Sequence, residues 1–184
     1  TGGGKTLFAF LAIKEWLSQN PVDPCVVVVV PTTALQDQWL IGLTGDCSIS
    51  RSDISVWPED DDVHRTFHLL VVNSARKMSS RIAQRRGSLM LVADECHRYG
   101  SAENSKAIRI QSVASLGLTA TAEREYDDGL YLHVIPSLGP IIHRYTLRDA
   151  LEDGVVSPFA LTNVETDLDT EEKAEYDKLT KSLS

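Results

Sequence analysis

Two short clusters in this sequence carry residue types that bind and cleave phosphates. The first opens the chain as Thr1-Gly2-Gly3-Gly4-Lys5-Thr6. It reads as the end of the phosphate-loop pattern G-x-x-x-x-G-K-[ST], whose backbone N–H groups surround phosphate oxygens. Glycine suits this loop because a Cβ would block the approach of backbone to phosphate. We therefore predict that all six residues line a nucleotide site; the alternative is an ordinary flexible glycine-rich segment.

Lys5 and Thr6 have separate predicted roles in this site. The Lys5 ammonium would reach the β- and γ-phosphates and take part in catalysis, and the Thr6 hydroxyl would bind Mg²⁺. The helix that begins here adds the positive end of its dipole. Such a loop follows a strand, and the motif's first glycine would lie before Thr1. We therefore expect the chain to be part of a longer protein, with the first strand of its sheet missing here.

The second cluster is Asp94-Glu95-Cys96-His97. It follows an apolar run at residues 89–93 that predicts a buried strand, and parallel sheets place their ligand crevice at such carboxyl ends. Two carboxylates about 5 Å apart repel by roughly 3 kcal/mol at an effective dielectric constant near 20, so a cation is expected between them and a phosphate. We predict that Asp94 holds Mg²⁺ and that Glu95 deprotonates the water that attacks the γ-phosphate of ATP.

The remaining pattern predicts the elements that position these clusters. An apolar helix over residues 5–19, buried around most of its circumference, is followed by a β-branched strand at 25–30 and a second helix opened by a Thr33–Gln36 capping box. This alternation predicts an α/β fold, a parallel β-sheet with helices on both faces. Further strands are predicted at 54–57, 67–72, 113–118 and 159–164, and further helices after residues 73 and 169 and over 147–153.

Composition bounds the class of protein. The 184 residues carry a net charge of −8 and 42% hydrophobic residues, typical of a globular protein that does not bind nucleic acid by bulk charge. Three cysteines without metal spacing predict reduced thiols in an intracellular protein, either cytoplasmic or nucleoid-associated; the alternative is a disulfide or a metal site. No apolar run is long enough to cross a bilayer, so no membrane partner is expected. We predict a lobe over residues 1–164 and a helical segment over 165–184.

Four motifs in order resemble those of superfamily 2 helicases and translocases. The opening six residues are similar to motif I, and Pro-Thr-Thr-Ala-Leu-Gln-Asp-Gln-Trp at 31–39 to motif Ia. Asp-Glu-Cys-His at 94–97 resembles a DExH-type motif II, and Leu-Gly-Leu-Thr-Ala-Thr at 116–121 resembles motif III. The form of motif III is most similar to that of the XPB-like and type III restriction-like DNA translocases. The resemblance covers nearly the whole chain.

The resemblance implies a first RecA-like motor lobe that binds ATP and Mg²⁺ against a second lobe of the same polypeptide. It assigns His97 a link between the ATP site and motif III. Thr119, Ala120 and Thr121 would couple hydrolysis to movement along nucleic acid, with DNA as the expected partner. Without the second lobe we expect weak nucleotide binding and negligible turnover.

The resemblance also implies phosphate contacts at strand ends on the nucleic-acid side, by Pro31, Thr32, Asn73 and Ser74. For Asn73 and Ser74 the alternative is a helix N-cap. In the helix that follows them, the basic side chains of Lys77, Arg81 and Arg85 recur every fourth residue, which predicts either an exposed surface or a further nucleic-acid contact.

Four functions remain open from the sequence. The first is an ATP-dependent DNA helicase or translocase. The others are the motor subunit of a type III-like restriction system, a DExH RNA helicase, and a truncated non-catalytic module that binds nucleotide or acts as a scaffold.

Overall fold

A computed structural model of the chain describes residues 4–84, 88–121, 128–157, 162, 164 and 168–183. The chain divides into two compact units, Thr1–Tyr145 and Thr146–Ser184. Within the described residues, the sheet lies in the first unit and two helices lie in the second. The predicted boundary after residue 164 stays a prediction.

The first unit is built on one sheet of five parallel strands, which confirms the predicted fold class. The spatial order is β2-β3-β1-β4-β5. The strands are β1 (Pro24–Val30), β2 (Ile54–Val56), β3 (Phe67–Val71), β4 (Ser88–Ala93) and β5 (Ala114–Gly117).

Helices cover both faces of this sheet. In the first unit they are α1 (Lys5–Gln19), α2 (Thr33–Gly45), α3 (Val72–Ala83) and α4 (Ile135–Leu138), the last preceded by a π-helical turn at Leu130–Val134. Short 3₁₀ turns lie at Arg51–Asp53, Cys96–Tyr99 and Asn104–Ala107.

Strand alternation sorts the core into two layers. Val26, Val28 and Val30 of β1 pack on one face with side chains of α1 and α2. Cys25, Val27 and Val29 pack on the other face with α3 and the turns before α4. A strand covered on both faces is apolar at every position, which is why β1 reads as a continuous run rather than an alternation.

Helix α1 has the predicted length but less burial than predicted. Ala9, Phe10 and Ile13 face the sheet, whereas Leu7 is 61% exposed and Phe8 53% exposed. A helix that packs on a single sheet buries only one stripe. The prediction of burial around most of its circumference is therefore wrong.

Helix α2 starts one residue earlier than predicted. Thr32 is its N-cap, and the Thr32 hydroxyl accepts a hydrogen bond from the Leu35 N–H at 3.3 Å. The predicted Thr33–Gln36 capping box is therefore wrong. The Gln36 amide instead donates to the carbonyls of Trp57 at 2.9 Å and Leu69 at 2.8 Å, and so joins α2 to the residue after β2 and to the middle of β3.

We expect Gln36→Leu to lower the free energy of unfolding by about 1–3 kcal/mol, because it leaves a buried Trp57 carbonyl without its donor. Urea unfolding followed by circular dichroism measures the change. The matched control is Gln38→Leu, an exposed position on the same helix where we expect a change within about 0.5 kcal/mol. Equal unfolding midpoints for both variants would contradict the assignment.

The second unit holds α5 (Leu147–Glu152) and α6 (Thr170–Leu183). The Thr146 and Asp149 pair forms a complete capping box, which confirms the predicted start of α5. Helix α6 follows Asp169, as predicted. The strand predicted at 159–164 falls largely outside the described residues.

Candidate nucleotide site and nucleic-acid edge

The predicted site residues converge on one edge of the sheet. Val30 pairs with Val71, and Ala93 pairs with both Val29 and Gly117, so the four neighbouring strands β3, β1, β4 and β5 end at the same level. The residues that follow these ends carry the predicted chemistry: Asn73 and Ser74 after β3, Pro31 and Thr32 after β1, Asp94 and Glu95 after β4, and Thr119 after β5.

The described part of the phosphate loop ends in a left-handed turn. Gly4 has φ +70° and precedes α1, where its carbonyl accepts from the Phe8 N–H at 2.9 Å. A positive φ of this size favours glycine. Lys5, half-buried, is the first residue of α1, and Thr6 beside it is exposed. Thr1, Gly2 and Gly3, also predicted to bind nucleotide, lie outside the described residues.

Asp94 continues the alternation of β4. Met90 and Val92 belong to the layer that packs with α1 and α2, and Asp94 follows them on the same face, where it contacts Trp39 of α2. Its side chain is almost fully buried, at 5% exposed. The structure thus places Asp94 on the sheet face that carries the helix beginning with Lys5.

Both carboxylate oxygens of Asp94 accept a hydrogen bond. The Trp39 Nε1–H donates to Oδ2 at 2.9 Å, and the Glu95 backbone N–H donates to Oδ1 at 2.9 Å. A carboxylate has about four lone-pair directions, so these contacts within the described residues leave one on each oxygen for a further ligand.

The donor set at this edge fits Mg²⁺. Carboxylate and hydroxyl oxygens are the hard ligands that this ion prefers, and it is bound through one or two carboxylates together with waters and substrate phosphates. Among the described residues no cluster of three or more His, Cys, Asp or Glu could hold a metal ion.

Glu95 has an unusual backbone conformation. Its φ is +47°, in the left-handed region, and it precedes the 3₁₀ turn at Cys96–Tyr99. A non-glycine residue there costs about 1–3 kcal/mol and persists where the surroundings impose it, often at functional sites. The neighbouring backbone provides this constraint, since the Cys96 N–H donates to Leu118 at 2.8 Å and the Arg98 N–H donates to Glu95 at 2.9 Å.

A chain of polar contacts joins Glu95 to the segment after β5. Nδ1 of His97 lies 3.4 Å from Oε2 of Glu95 and 2.8 Å from Oγ1 of Thr119. The Glu95 carboxylate can only accept hydrogen bonds, and the Thr119 hydroxyl can also accept one. The His97 tautomer that carries its N–H at Nδ1 can therefore donate to either neighbour. The Thr119 hydroxyl donates to the Thr121 carbonyl at 2.9 Å and accepts the Thr121 N–H at 3.2 Å. The structure therefore brings three of the four predicted coupling residues into contact; the fourth, Ala120, is exposed and has no polar side-chain atom with which to join them.

Cys96 lies within this cluster but does not share its chemistry. Burial, followed by the nearby Glu95 and Asp94 charges, raises the pKa of the Cys96 thiol to about 11. The thiol is therefore protonated and unreactive at neutral pH. It packs against Gly117, where a Cβ would lie 3.3 Å from the Cys96 sulfur. Cys25, Cys47 and Cys96 form no disulfide bond with one another.

The predicted nucleic-acid residues occupy two adjacent strand ends. Pro31 is half-buried and Thr32 is exposed, although the Thr32 hydroxyl also caps α2. Helix α3 begins at Val72, so Asn73 and Ser74 lie inside its first turn, and the alternative of an N-cap pair is wrong. The Asn73 side chain accepts a hydrogen bond from Arg76 instead.

The basic face of α3 is only partly described. Lys77 and Arg81 are exposed on this helix, and residue 85, the third predicted member, lies outside the described residues. The choice between solvent-exposed surface and nucleic-acid contact stays open.

The hydrogen bond from the Trp39 indole to Asp94 is the contact that sequence reasoning missed. The apolar spacing of α2 predicts Trp39 as a core residue, and it is buried, at 1% exposed. Its hydrogen bond to Asp94 does not follow from that pattern. The available signal is chemical: a buried tryptophan N–H usually has an acceptor, and the second predicted cluster supplies a carboxylate.

Fold and site together define the class of protein. The chain contains a parallel sheet flanked by helices, a Gly-Lys-Thr turn before one helix and an Asp-Glu pair after an inner strand. These features define a RecA-like lobe of the superfamily 2 helicase type. Residues 1–124 match the family described as "Type III restriction enzyme, res subunit", and the chain belongs to this ResIII family. The predicted XPB-like branch stays a prediction.

Two relatives illustrate the range of this similarity. The chain is 31% identical over 84 residues to the Type I restriction enzyme EcoAI endonuclease subunit of Escherichia coli, covering 44% of this chain and 10% of that protein. It is 30% identical over 145 residues to QP509L of African swine fever virus, named as a candidate ATP-dependent RNA helicase, covering 76% of this chain and 27% of that protein. The chain thus spans about a tenth to a quarter of the length of these relatives.

A solved structure of similar fold is the Sulfolobus solfataricus SWI2/SNF2 ATPase core in complex with double-stranded DNA. The TM-score is 0.60 at 20% identity, over 76% of this chain and 30% of that one. Similarity at this level of identity supports the fold alone.

No helix within the described ranges is long and apolar enough to cross a membrane. The predicted cytoplasmic location stays a prediction.

Proposed function

We propose that the chain is the ATP-binding first motor lobe of an ATP-dependent DNA helicase or translocase, which couples Mg-ATP hydrolysis to movement along nucleic acid. The observation that carries the proposal is the position of Asp94. Its carboxylate follows an inner strand on the sheet face that packs against α1, the helix that begins with Lys5 and Thr6. A phosphate loop and a metal-binding carboxylate must share one face to act on one triphosphate.

Each residue of the proposed nucleotide site then has a role in hydrolysis. Gly4 and the residues before it would surround the phosphates with backbone N–H groups, and Lys5 would neutralise the charge of the β- and γ-phosphates. Thr6 and Asp94 would hold Mg²⁺, which when bound neutralises the charge that develops on the phosphate oxygens. Glu95 would accept the proton of the attacking water.

The contacts of His97 support coupling of this reaction to movement. His97 touches the proposed base Glu95 on one side and Thr119 on the other. A change in hydrogen bonding at Glu95 would therefore reach the segment after β5. Pro31, Thr32, Asn73 and Ser74 would contact the phosphate backbone, which suits a motor that moves without reading sequence.

We propose DNA as the partner of this lobe. We also propose that the same polypeptide carries a second RecA-like lobe and that the protein acts in the cytoplasm. The family is named for a restriction enzyme subunit, and the similar archaeal ATPase core is described in complex with double-stranded DNA. The viral relative, named as a candidate RNA helicase, supports RNA as the competing partner.

We expect duplex or single-stranded DNA to stimulate ATP hydrolysis by the intact protein more than RNA of matched length and sequence does. Steady-state phosphate release at equal nucleotide concentration measures the difference. Because phosphate contacts weaken as salt rises, the stimulation should fall between low and moderate salt. Greater stimulation by RNA would favour an RNA helicase. A rate of ATP hydrolysis that changes with neither duplex DNA, single-stranded DNA nor RNA would contradict the assignment of a motor.

A second candidate function is the motor subunit of a restriction system. The family match and the similarity to the EcoAI endonuclease subunit favour it. A nuclease domain encoded after Ser184, with ATP-dependent cleavage of DNA, would distinguish this function from that of a helicase or translocase.

A further inference from the structure

The indole of Trp39 is in direct contact with the proposed magnesium ligand. Trp39 lies on α2, and its Nε1–H donates to Oδ2 of Asp94 at 2.9 Å. Both side chains are buried, at 1% and 5% exposed. A hydrogen bond to an ionised group in a buried site is short, directional and about twice as strong as one between neutral groups.

We propose that Trp39 is a positioning residue that orients the Asp94 carboxylate toward a magnesium–nucleotide complex and thereby sets the affinity for the metal. The proposal rests on the proposed function, in which Asp94 holds Mg²⁺. It adds a residue on another helix to a site defined by the loop and the Asp-Glu pair.

The geometry fixes the carboxylate at both oxygens. The Glu95 backbone N–H donates to Oδ1 and the Trp39 indole donates to Oδ2, each at 2.9 Å. The Glu95 donor comes from the adjacent peptide, so it moves with the strand. The indole is therefore the contact that ties the carboxylate to a different element.

A second contact of the same ring links it to the helix of the phosphate loop. The rings of Trp39 and Phe10 pack edge to face, with centroids 5.3 Å apart and planes at 86°. Phe10 lies one turn after Thr6 on α1, so the two residues share a face of that helix. Trp39 thus contacts α1 through Phe10 and the end of β4 through Asp94. The separation of these two elements must suit one metal-bound phosphate.

Gly42 shows how closely these helices approach. A Cβ on Gly42 would lie 2.5 Å from Cζ of Phe10, so α2 can contact the Phe10 ring only because this position carries no side chain. The ring of Phe10 therefore contacts α2 at both Trp39 and Gly42. The Trp39 indole, 1% exposed, packs against this ring while it donates to Asp94.

Trp39→Phe tests the proposal because it keeps an aromatic ring and removes the N–H donor. In the intact protein, electron paramagnetic resonance would measure Mn²⁺ affinity in the presence of a non-hydrolysable ATP analogue. Loss of a partner that orients a metal ligand typically weakens metal binding about 10–100-fold. We expect a loss in this range for Mn²⁺, and an unchanged affinity for the analogue when the metal is chelated.

Trp57→Phe is the matched control. Trp57 is equally buried on the opposite face of the sheet, and its Nε1–H lies 3.5 Å from Nδ1 of His68. This variant also loses a buried indole donor, but away from Asp94. It should bind Mn²⁺ like wild type. A general loss of stability would lower both metal-dependent and metal-free binding, and is thereby distinguished from an effect on the carboxylate.

A measurement on the wild-type protein covers the case in which Trp39→Phe does not fold. The indole ¹⁵N–¹H resonance of Trp39, assigned through its correlation with the backbone resonances of Trp39, should shift when Mg²⁺ and the analogue are added together. The Trp57 resonance should stay in place.

The outcomes separate the two proposals. Wild-type Mn²⁺ affinity in Trp39→Phe, or an indole resonance of Trp39 that ignores the bound complex, overturns the positioning role and leaves the proposed function standing. Absence of any Mn²⁺–analogue binding by wild type overturns both.

Discussion

Glu95→Gln is expected to lower the rate of ATP hydrolysis by about 10²–10⁴-fold, the usual contribution of a general base. Glutamine keeps the shape of the side chain and its acceptor oxygen toward His97, but it cannot take a proton from water. The affinity for Mg-nucleotide should stay close to the wild-type value. Single-turnover phosphate release and equilibrium binding of a fluorescent ATP analogue measure the two quantities separately.

Glu103→Gln provides the matched control for this substitution. Glu103 is an exposed glutamate paired with Arg76 and Lys106, so the same change of side chain occurs there outside the nucleotide site. We expect its hydrolysis rate to equal that of wild type. Hydrolysis by Glu95→Gln at the rate of this control would show that another group activates the water.

The conformation of Glu95 sharpens the expected result. Glu95 adopts φ +47° beside a turn whose Cys96 and Arg98 N–H groups donate to the carbonyls of Leu118 and Glu95. Glutamine at this position bears the same strain as glutamate. A difference in rate between the two proteins therefore reports the chemistry of the carboxylate rather than a rearranged loop.

The strands and helices near the site could be predicted because their signals are local. The β-branched run that becomes β1 and the Gly-Lys-Thr turn before α1 each specify an element without knowledge of distant neighbours. The parallel arrangement of the strands was predicted from the alternation of strands and helices, since parallel strands need a crossover connection, which is usually a helix.

Contacts that depend on tertiary packing could not be predicted in the same way. The burial of α1 was overestimated because apolar residues on both of its sides satisfy the same sequence pattern, and only the sheet decides which stripe is covered. The partners of Gln36 and Trp39 lie 21 to 55 residues away in sequence. Periodicity identifies the buried face of α2, but it cannot identify the polar atom that a buried side chain meets.

Lys5→Ala is expected to reduce both nucleotide affinity and turnover. A hydrogen bond to a charged group contributes about 1.5–3 kcal/mol, so ATP should bind roughly 10–100-fold more weakly. Loss of one donor to the developing charge lowers the catalytic rate by about a further 10²–10³-fold. Equilibrium binding and ATPase assays on the intact protein, with and without DNA, measure these losses.

Lys14→Ala is the control for this prediction, because Lys14 is an exposed lysine on the same helix, more than two turns from the phosphate loop. We expect it to bind and hydrolyse ATP like wild type. The comparison with Glu95→Gln then separates two functions of the site, since Lys5→Ala loses the nucleotide whereas Glu95→Gln retains it without cleaving it. Wild-type binding and turnover in Lys5→Ala would mean that the glycine-rich turn does not hold a triphosphate, and the assignment of a motor lobe would fail with it.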